Sequence, residues 1–336
     1  MQIGHVEYIT IESEALKDNR LHDPHVRQLA VYLPPGYNDA QNKKSYYPSL
    51  YLLSSHGRTS HYYLSWQQWD ENIQERLNRL ISSHAMPPVI VVMPDCWTRV
   101  GGSQFLDSAI GNYATYLTEE IIPTVDKTFR TQSQREHRGV FGHSSGGYGA
   151  LVHAMQNPDL FGGVASRAPD LYWEYTALPN IAHLPGQMAK WGGFEEFITG
   201  IPTIKPKRSD FWKAIHTLMQ CMAYAPNPDS SLGFDSPIDP ETGALISEVW
   251  ERWLQHDPVR MIDNEAYQNA LRQMKVLFLE VGSYDEYQLQ VGARIFHKKL
   301  EDYQIVHQYE EFPDGHSSTS YRYDLSLPIL AAALDE

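Results

Sequence analysis

The segment that decides the fold runs from Val140 to Ala150 and reads Val-Phe-Gly-His-Ser-Ser-Gly-Gly-Tyr-Gly-Ala. It contains the pattern G-x-S-x-G, with Ser144 between Gly142 and Gly146, and a helix-compatible run follows it. This order is typical of a nucleophile elbow, in which a strand turns sharply into a helix and lifts a serine hydroxyl above the sheet. Glycine is needed on both sides because a Cβ two residues from the serine would clash across the tight turn.

The pattern is short enough to arise by chance, so the surrounding secondary structure must support it. Besides the strand that enters the elbow, apolar runs predict strands at residues 6–11, 26–33, 49–53, 88–95, 161–166, 276–282 and 305–312. Helical periodicity predicts helices after the elbow and at about 66–84, 113–127, 286–302 and 325–334. In the helix predicted at 66–84, one face carries Trp69, Ile73, Leu77, Leu80 and Ile81. Alternating strands and helices predict an α/β protein with a doubly wound, mainly parallel sheet.

One interval departs from this alternation. Residues 170–273 carry five tryptophans, many prolines and helix-like pieces near 210–223 and 243–255, but no convincing strand. We therefore expect one domain over residues 1–336, with 170–273 forming a helical, cap-like insertion over the catalytic face.

Composition narrows the class of protein. The chain has 336 residues, of which 42% are hydrophobic and 20% charged, as in ordinary globular proteins. The net charge of −14 makes nucleic acid and anionic membranes poor partners. No secretory signal and no apolar run of about 20 residues is visible, which predicts a soluble, cytoplasmic protein. Cys96 and Cys221 read as two buried free thiols, and a homo-oligomer stays open.

A serine nucleophile needs a base, and the base needs an orienting acid. In chain order after Ser144, Asp285 follows the predicted strand 276–282 and His316 follows the predicted strand 305–312. The carboxyl ends of parallel strands meet at one edge of a sheet, so both loops are expected near Ser144. Glu286 and Asp314 compete with Asp285 as the acid, and Asp285 could also be the N-cap of the next helix.

A site for acyl transfer also needs N–H donors for the developing oxyanion. The backbone N–H of Ser145, directly after the serine, is one candidate. The second is expected from the loop after the strand 49–53, where the N–H of Arg58 follows the flexible Gly57. No H-E-x-x-H or comparable ligand spacing occurs, so no metal or other cofactor is expected.

Several motifs, in order and spacing, resemble one known family. They are Val31–Tyr37, Tyr51–Leu53 with His56-Gly57, Trp66 with Trp69-Asp70, Tyr116–Pro123, Phe129–Thr131 and Gly142–Ala150. This set is similar to the putative-esterase family of α/β-hydrolases, which includes esterase D (S-formylglutathione hydrolase), antigen 85, feruloyl esterases and enterochelin-esterase-like proteins. The resemblance covers about residues 25–170 and 275–320. It departs from many members at Ser145, where they carry methionine, and in the longer insertion.

The resemblance implies an α/β-hydrolase fold and a serine esterase acting on a small-molecule ester. Its triad would be Ser144, Asp285 and His316. Two alternatives remain open from the sequence. The same triad could serve an acyltransferase, or the fold could be a non-catalytic module that binds a ligand.

Overall fold

The computed structural model describes residues 3–336. Its centre is an eight-stranded sheet in the order β1-β2-β4-β3-β7-β8-β9-β10, and a separate two-stranded hairpin is formed by β5 and β6. The strands are β1 (His5–Glu12), β2 (Val26–Leu33), β3 (Ser49–Leu53), β4 (Ile90–Met93), β5 (Asp107–Ser108), β6 (Gly111–Asn112), β7 (Arg138–His143), β8 (Gly163–Arg167), β9 (Val276–Gly282) and β10 (Gln308–Phe312).

Most of the sheet is parallel. The pairs β1·β2 and β2·β4 are antiparallel, whereas β4·β3, β3·β7, β7·β8, β8·β9 and β9·β10 are all parallel. The carboxyl ends of the parallel strands therefore lie along one edge, where the loops after β3, β7, β8, β9 and β10 meet. The predicted doubly wound, mainly parallel α/β architecture is confirmed.

Helices cover both faces of this sheet. The α-helices are α1 (Ser60–Leu64), α2 (Ile73–Ser82), α3 (Tyr113–Thr115), α4 (Ile122–Thr128), α5 (Ser145–Gln156), α6 (Trp173–Thr176), α7 (Leu178–Ile181), α8 (Leu184–Lys190), α9 (Phe194–Gly200), α10 (Ser209–Tyr224), α11 (Ser247–Leu254), α12 (Pro258–Met261), α13 (Glu265–Arg272), α14 (Leu289–Asp302) and α15 (Tyr323–Asp335). A π-helix, Tyr116–Ile121, joins α3 to α4, and 3-10 turns lie at Ala40–Asn42, Arg135–His137 and Ser320–Arg322.

The side chains of the buried strands point alternately to the two faces of the sheet, which divides the core into two layers. On β7, Val140 packs into the layer that contains α5 and α14, whereas Phe141 packs into the layer that contains α2 and α15. Successive side chains of a strand point to opposite faces, so a strand covered on both sides must be apolar at every position. This requirement explains the continuous apolar run that marks β4 in the sequence.

Two predicted helix starts are wrong. The helix expected from residue 66 begins at Ile73, because Asn72 caps it in a capping box with Glu75. Trp69 lies before the cap and is 89% exposed, so it does not share the buried face of α2. Asp285 is not an N-cap either, since α14 begins at Leu289 and its N-cap residue is Gln288.

The interval 170–273 lies between β8 and β9, two strands that pair directly with each other. It contains α6 to α13 and no strand within the described residues, apart from isolated bridges. Its inner part is held by an aromatic cluster in which the rings of Trp173 and Tyr224 are 4.1 Å apart and Trp253 packs against both. These three side chains are fully buried, and Tyr148 of α5 packs against Trp173 and Tyr224, so the insertion shares its core with the central sheet.

Cys96 and Cys221 are free and buried, as predicted. Burial raises the pKa of both thiols, so neither is an activated thiolate. Among residues 3–336, no helix has the length and apolar character that a membrane crossing requires.

The helix that follows the elbow carries a fully buried histidine, His153. Its Nε2 lies 3.0 Å from the carbonyl oxygen of Phe105, and its Nδ1 lies 3.0 Å from Nδ2 of Asn157. A neutral ring with the proton on Nε2 satisfies both neighbours. Burial lowers the pKa of His153 to about 4.

We expect His153→Gln to reveal this buried neutral ring through the pH dependence of stability. Between about pH 4 and the ordinary histidine pKa of about 6.5, the unfolded chain binds a proton that the folded chain does not, so the free energy of unfolding falls as pH falls. The stability deficit of the variant should therefore shrink, by up to about 2 kcal/mol, between pH 7 and pH 5. Urea unfolding at both pH values measures it.

The exposed His183 provides the control, because His183→Gln changes the same residue type outside the core. This control should keep the pH dependence of the wild type. Equal deficits of His153→Gln at pH 7 and pH 5 would contradict the assignment of a neutral buried ring.

Candidate active site

The elbow has the strained geometry that its sequence predicts. Ser144 adopts φ 60° and ψ −126°, a conformation that residues with a side chain rarely adopt. Its N–H donates to the carbonyl oxygen of Arg167 at 2.9 Å. A Cβ added to Gly142 would lie 2.4 Å from the backbone of Gly146, and one added to Gly146 would lie 2.0 Å from the carbonyl oxygen of Leu53. Both glycines are thus required by backbone packing.

The structure brings Ser144, His316 and Asp285 into one hydrogen-bonded chain. Nε2 of His316 lies 3.0 Å from Oγ of Ser144, and Nδ1 of His316 lies 2.7 Å from Oδ2 of Asp285. The Asp285 side chain is wholly buried and that of His316 is nearly so. In this arrangement the ring can accept the serine proton at Nε2 while the carboxylate holds Nδ1–H, which is the geometry of a catalytic triad.

The two competing acids have other partners. Oε2 of Glu286 accepts the backbone N–H of His316 at 2.7 Å, and this hydrogen bond is the main reason why the pKa of Glu286 is lowered. Asp314 accepts the hydroxyl of Tyr321. Adjacent acids, Asp285 and Glu286, therefore hold the side chain and the backbone of the same histidine. Sequence reasoning recognised both carboxylates but not this division of roles.

A second histidine packs against His316. The rings of His143 and His316 are 4.5 Å apart, and Nδ1 of His143 lies 3.2 Å from Oγ of Ser55. Burial holds the pKa of His143 well below its ordinary value. This ring is therefore neutral at pH 7, so it does not oppose a positive charge that develops on His316.

The two N–H groups expected to act as oxyanion donors, those of Ser145 and Arg58, differ in their hydrogen bonding. Ser145 is the first residue of α5, where N–H groups have no intrahelical partner. The N–H of Arg58, in contrast, donates to the carbonyl oxygen of Ser55 at 3.0 Å, and that of Gly57 donates to Gly101 at 2.7 Å. The Arg58 guanidinium lies over the Tyr62 ring. Within residues 3–336, the His56 amide of this loop has no hydrogen-bond partner.

A cavity of about 1000 Å³ opens above Ser144. Its walls include residues of the loop after β3, of the segment before α2, of the His316 loop and of α10. The side chains of Ser144, His316, His56, His143, Asp170 and Trp212 all contribute to it. No group of three or more histidine, cysteine or acidic side chains within residues 3–336 could hold a metal ion.

The chain matches one protein family over most of its length. The family model described as "Putative esterase" matches residues 24–330. The chain belongs to this family. A solved S-formylglutathione hydrolase from Agrobacterium tumefaciens superposes with a TM-score of 0.60 at 17% identity, covering 99% of this chain and 97% of that one. This likeness confirms the α/β-hydrolase fold.

Curated relatives match parts of the chain. The S-formylglutathione hydrolase of Mus musculus is 31% identical over 151 residues, which are 42% of this chain and 51% of that protein. An endo-1,4-beta-xylanase/feruloyl esterase of Xylanibacter ruminicola is 28% identical over 169 residues, which are 47% of this chain and 21% of that protein. The chain therefore spans about half or less of the curated relatives that it matches.

A methyl group at the elbow should disrupt the fold locally. Gly146→Ala places a Cβ against the Leu53 carbonyl, so we expect lower stability and loss of reaction with a fluorophosphonate probe. Gly186 is the matched control, because nothing lies within 4 Å of its added Cβ. Gly186→Ala within α8 should stabilise the protein by about 0.5–1 kcal/mol. Thermal unfolding and probe labelling measure both, and an unperturbed Gly146→Ala protein would refute the packing argument.

The two adjacent acids provide a sharper test. Asp285→Asn removes the charge that holds Nδ1–H of His316, so we expect kcat for ester hydrolysis to fall about 10³- to 10⁴-fold. Glu286→Gln keeps an oxygen that accepts the backbone N–H of His316, so its kcat should stay within about tenfold of wild type. Steady-state kinetics on an aryl acetate compare them. A larger loss in Glu286→Gln than in Asp285→Asn would reverse the assignment.

Proposed function

We propose that this protein is a serine carboxylic-ester hydrolase that needs no cofactor. The observation that carries the proposal is the hydrogen-bonded chain from Ser144 through His316 to Asp285, placed at the floor of an open cavity. Membership of the esterase family and relatives named as S-formylglutathione hydrolase and feruloyl esterase support it. A small-molecule ester is the proposed substrate. A cytoplasmic location and the lack of nucleic-acid or membrane partners remain sequence predictions.

The reaction follows from the positions of these groups. Oγ of Ser144 attacks the ester carbonyl while Nε2 of His316 takes the hydroxyl proton, and Asp285 stabilises the imidazolium that forms. The tetrahedral intermediate then breaks the bond between the carbonyl carbon and the alcohol oxygen, and His316 returns the proton to the leaving alcohol. Water, deprotonated by His316, then attacks the acyl-enzyme. The bond from the acyl carbon to Oγ of Ser144 breaks, His316 returns the proton to Oγ, and the acid is released.

The oxyanion needs two donors, each worth about 2.7–4 kcal/mol of transition-state stabilisation. Ser145 supplies one N–H from the start of α5. For the second donor we propose His56 in place of Arg58, because the Arg58 amide already donates to Ser55. His56 is fixed for this role by its ring, whose Nε2 lies 3.1 Å from the carbonyl oxygen of Val100. Burial lowers the pKa of this ring to about 3, which keeps it neutral.

Hydrolysis of p-nitrophenyl acetate by wild type and Ser144→Ala tests the proposal directly. We expect a loss of about 10³-fold or more in kcat, because the triad acts as a unit. A fluorophosphonate probe should label the wild type and not the variant. Ser83→Ala, which removes a hydroxyl at the end of α2, is the control and should behave as wild type.

Equal hydrolysis by wild type and Ser144→Ala would refute the proposed nucleophile. A folded wild type that the probe does not label would instead favour a binding module. Product analysis with added alcohols separates the remaining alternative, since a new ester in place of free acid would identify an acyltransferase.

A further inference from the structure

Helix α10 lines one wall of the cavity with a polar stripe. Ser209, Trp212, His216 and Gln220 follow one another at spacings of three or four residues, so they lie on one face of the helix. This stripe extends over twelve residues, or about 16 Å. Exposure falls along it, from 50% at Trp212 to 3% at Gln220. The stripe therefore runs from the mouth of the cavity to its floor.

Gln220 lies at the buried end and has an unsatisfied amide. Its Oε1 is buried without a hydrogen-bond partner among residues 3–336. A buried amide oxygen left unpaired lowers stability, because the hydrogen bonds it makes to water in the unfolded chain are not replaced. Native proteins seldom keep such a group unless water or a ligand satisfies it. Because Gln220 lines the catalytic cavity, the natural partner is a molecule that enters that cavity.

His216 is one turn nearer the mouth and is also available. Its ring packs edge-on against His56, with centroids 4.7 Å apart, and forms no hydrogen bond among the described residues. Burial lowers the pKa of His216 to about 4. At pH 7 the ring therefore offers the cavity one N–H donor and one nitrogen lone pair.

Asp170 completes the floor from the loop after β8. Its Oδ2 lies 3.2 Å from Nε2 of Gln104, which also donates to the hydroxyl of Tyr224 near the end of α10. Oγ of Ser145 lies 3.5 Å from the same Oδ2. Asp170 thus connects the elbow to the floor of the cavity beside α10.

We propose that Gln220, His216 and Asp170 form a subsite that hydrogen-bonds a hydroxyl-bearing part of the ester substrate. This inference rests on the proposed esterase function and specifies the chemical class of its substrate. A hydroxyl both donates and accepts, so it matches an amide, a neutral imidazole and a carboxyl together. At this end of the cavity an anionic group would meet the Asp170 carboxyl, and an alkyl group would leave Gln220 unpaired.

The hydroxyls could belong to the alcohol or to the acyl side of the ester. Two pairs of substrates of nearly equal shape separate these sources. Glyceryl monoacetate against propyl acetate tests the alcohol side, and p-nitrophenyl 3-hydroxybutyrate against p-nitrophenyl butyrate tests the acyl side. We expect kcat/KM to favour the hydroxylated member of one pair at least tenfold, since the analogue that lacks the hydroxyl leaves buried polar groups unpaired.

Gln220→Leu should abolish most of this preference, reducing the ratio of kcat/KM within the favoured pair about tenfold. The same variant should keep or raise Tm, because it removes an unsatisfied buried group. A structural glutamine would instead lower Tm and reduce both substrates of a pair equally. His216→Phe is the second variant and should also reduce the ratio.

Thr217→Val is the matched control on the same helix. The Thr217 hydroxyl is buried but bonds to the Lys213 carbonyl within α10, and Thr217 does not line the cavity. This control should keep the substrate preference of the wild type.

The outcomes separate the two proposals. Hydrolysis of all four esters without any preference would overturn the subsite and leave the esterase intact. No hydrolysis together with no probe labelling of Ser144 would overturn the proposed function itself. A preference that survives both Gln220→Leu and His216→Phe would place hydroxyl recognition elsewhere and also overturn the subsite.

Discussion

The site depends on one close approach of backbones, between the first turn of α5 and the end of β3. Gly146 passes so near the carbonyl oxygen of Leu53 that a methyl group would lie only 2.0 Å from that atom. On the other side, the Ser144 N–H is bound to the carbonyl oxygen of Arg167 at the end of β8. The elbow is thus clamped between the two strands that flank β7. This clamp sustains the unfavourable φ of Ser144 and fixes the Ser144 hydroxyl and the first N–H of α5 together.

The parallel strands then bring Asp285 and His316 to the same edge of the sheet as Ser144. Asp285 follows β9 and His316 follows β10, two strands that pair in register with Gly282 opposite Phe312. The close packing of these loops is visible at Gly282, where an added Cβ would lie 2.3 Å from the Asp314 carbonyl oxygen. Two consecutive acids then hold one histidine by its ring and by its backbone. Rotation of the ring and displacement of the loop are both restricted.

The three histidines that line the cavity with His316 are neutral at pH 7. Burial lowers the pKa of His56, His143 and His216 and raises that of Asp170. Desolvation disfavours the charged form of each group, so these three rings add no positive charge beside His316. The insertion contributes α10 to the cavity wall, and on this helix Oε1 of Gln220 is buried without a hydrogen-bond partner among residues 3–336.

The amino-acid sequence by itself determined the alternation of elements, the elbow, and the candidates Ser144, Asp285 and His316. Local patterns suffice there, because buried strands must be apolar and the turn at Ser144 excludes side chains at Gly142 and Gly146. Only the tertiary structure decided which acid meets the histidine ring, and that Glu286 holds its backbone. It also decided that the Arg58 amide is already engaged and that Gln220 lines the cavity. These facts depend on contacts between segments distant in the chain, which no local pattern of residues encodes.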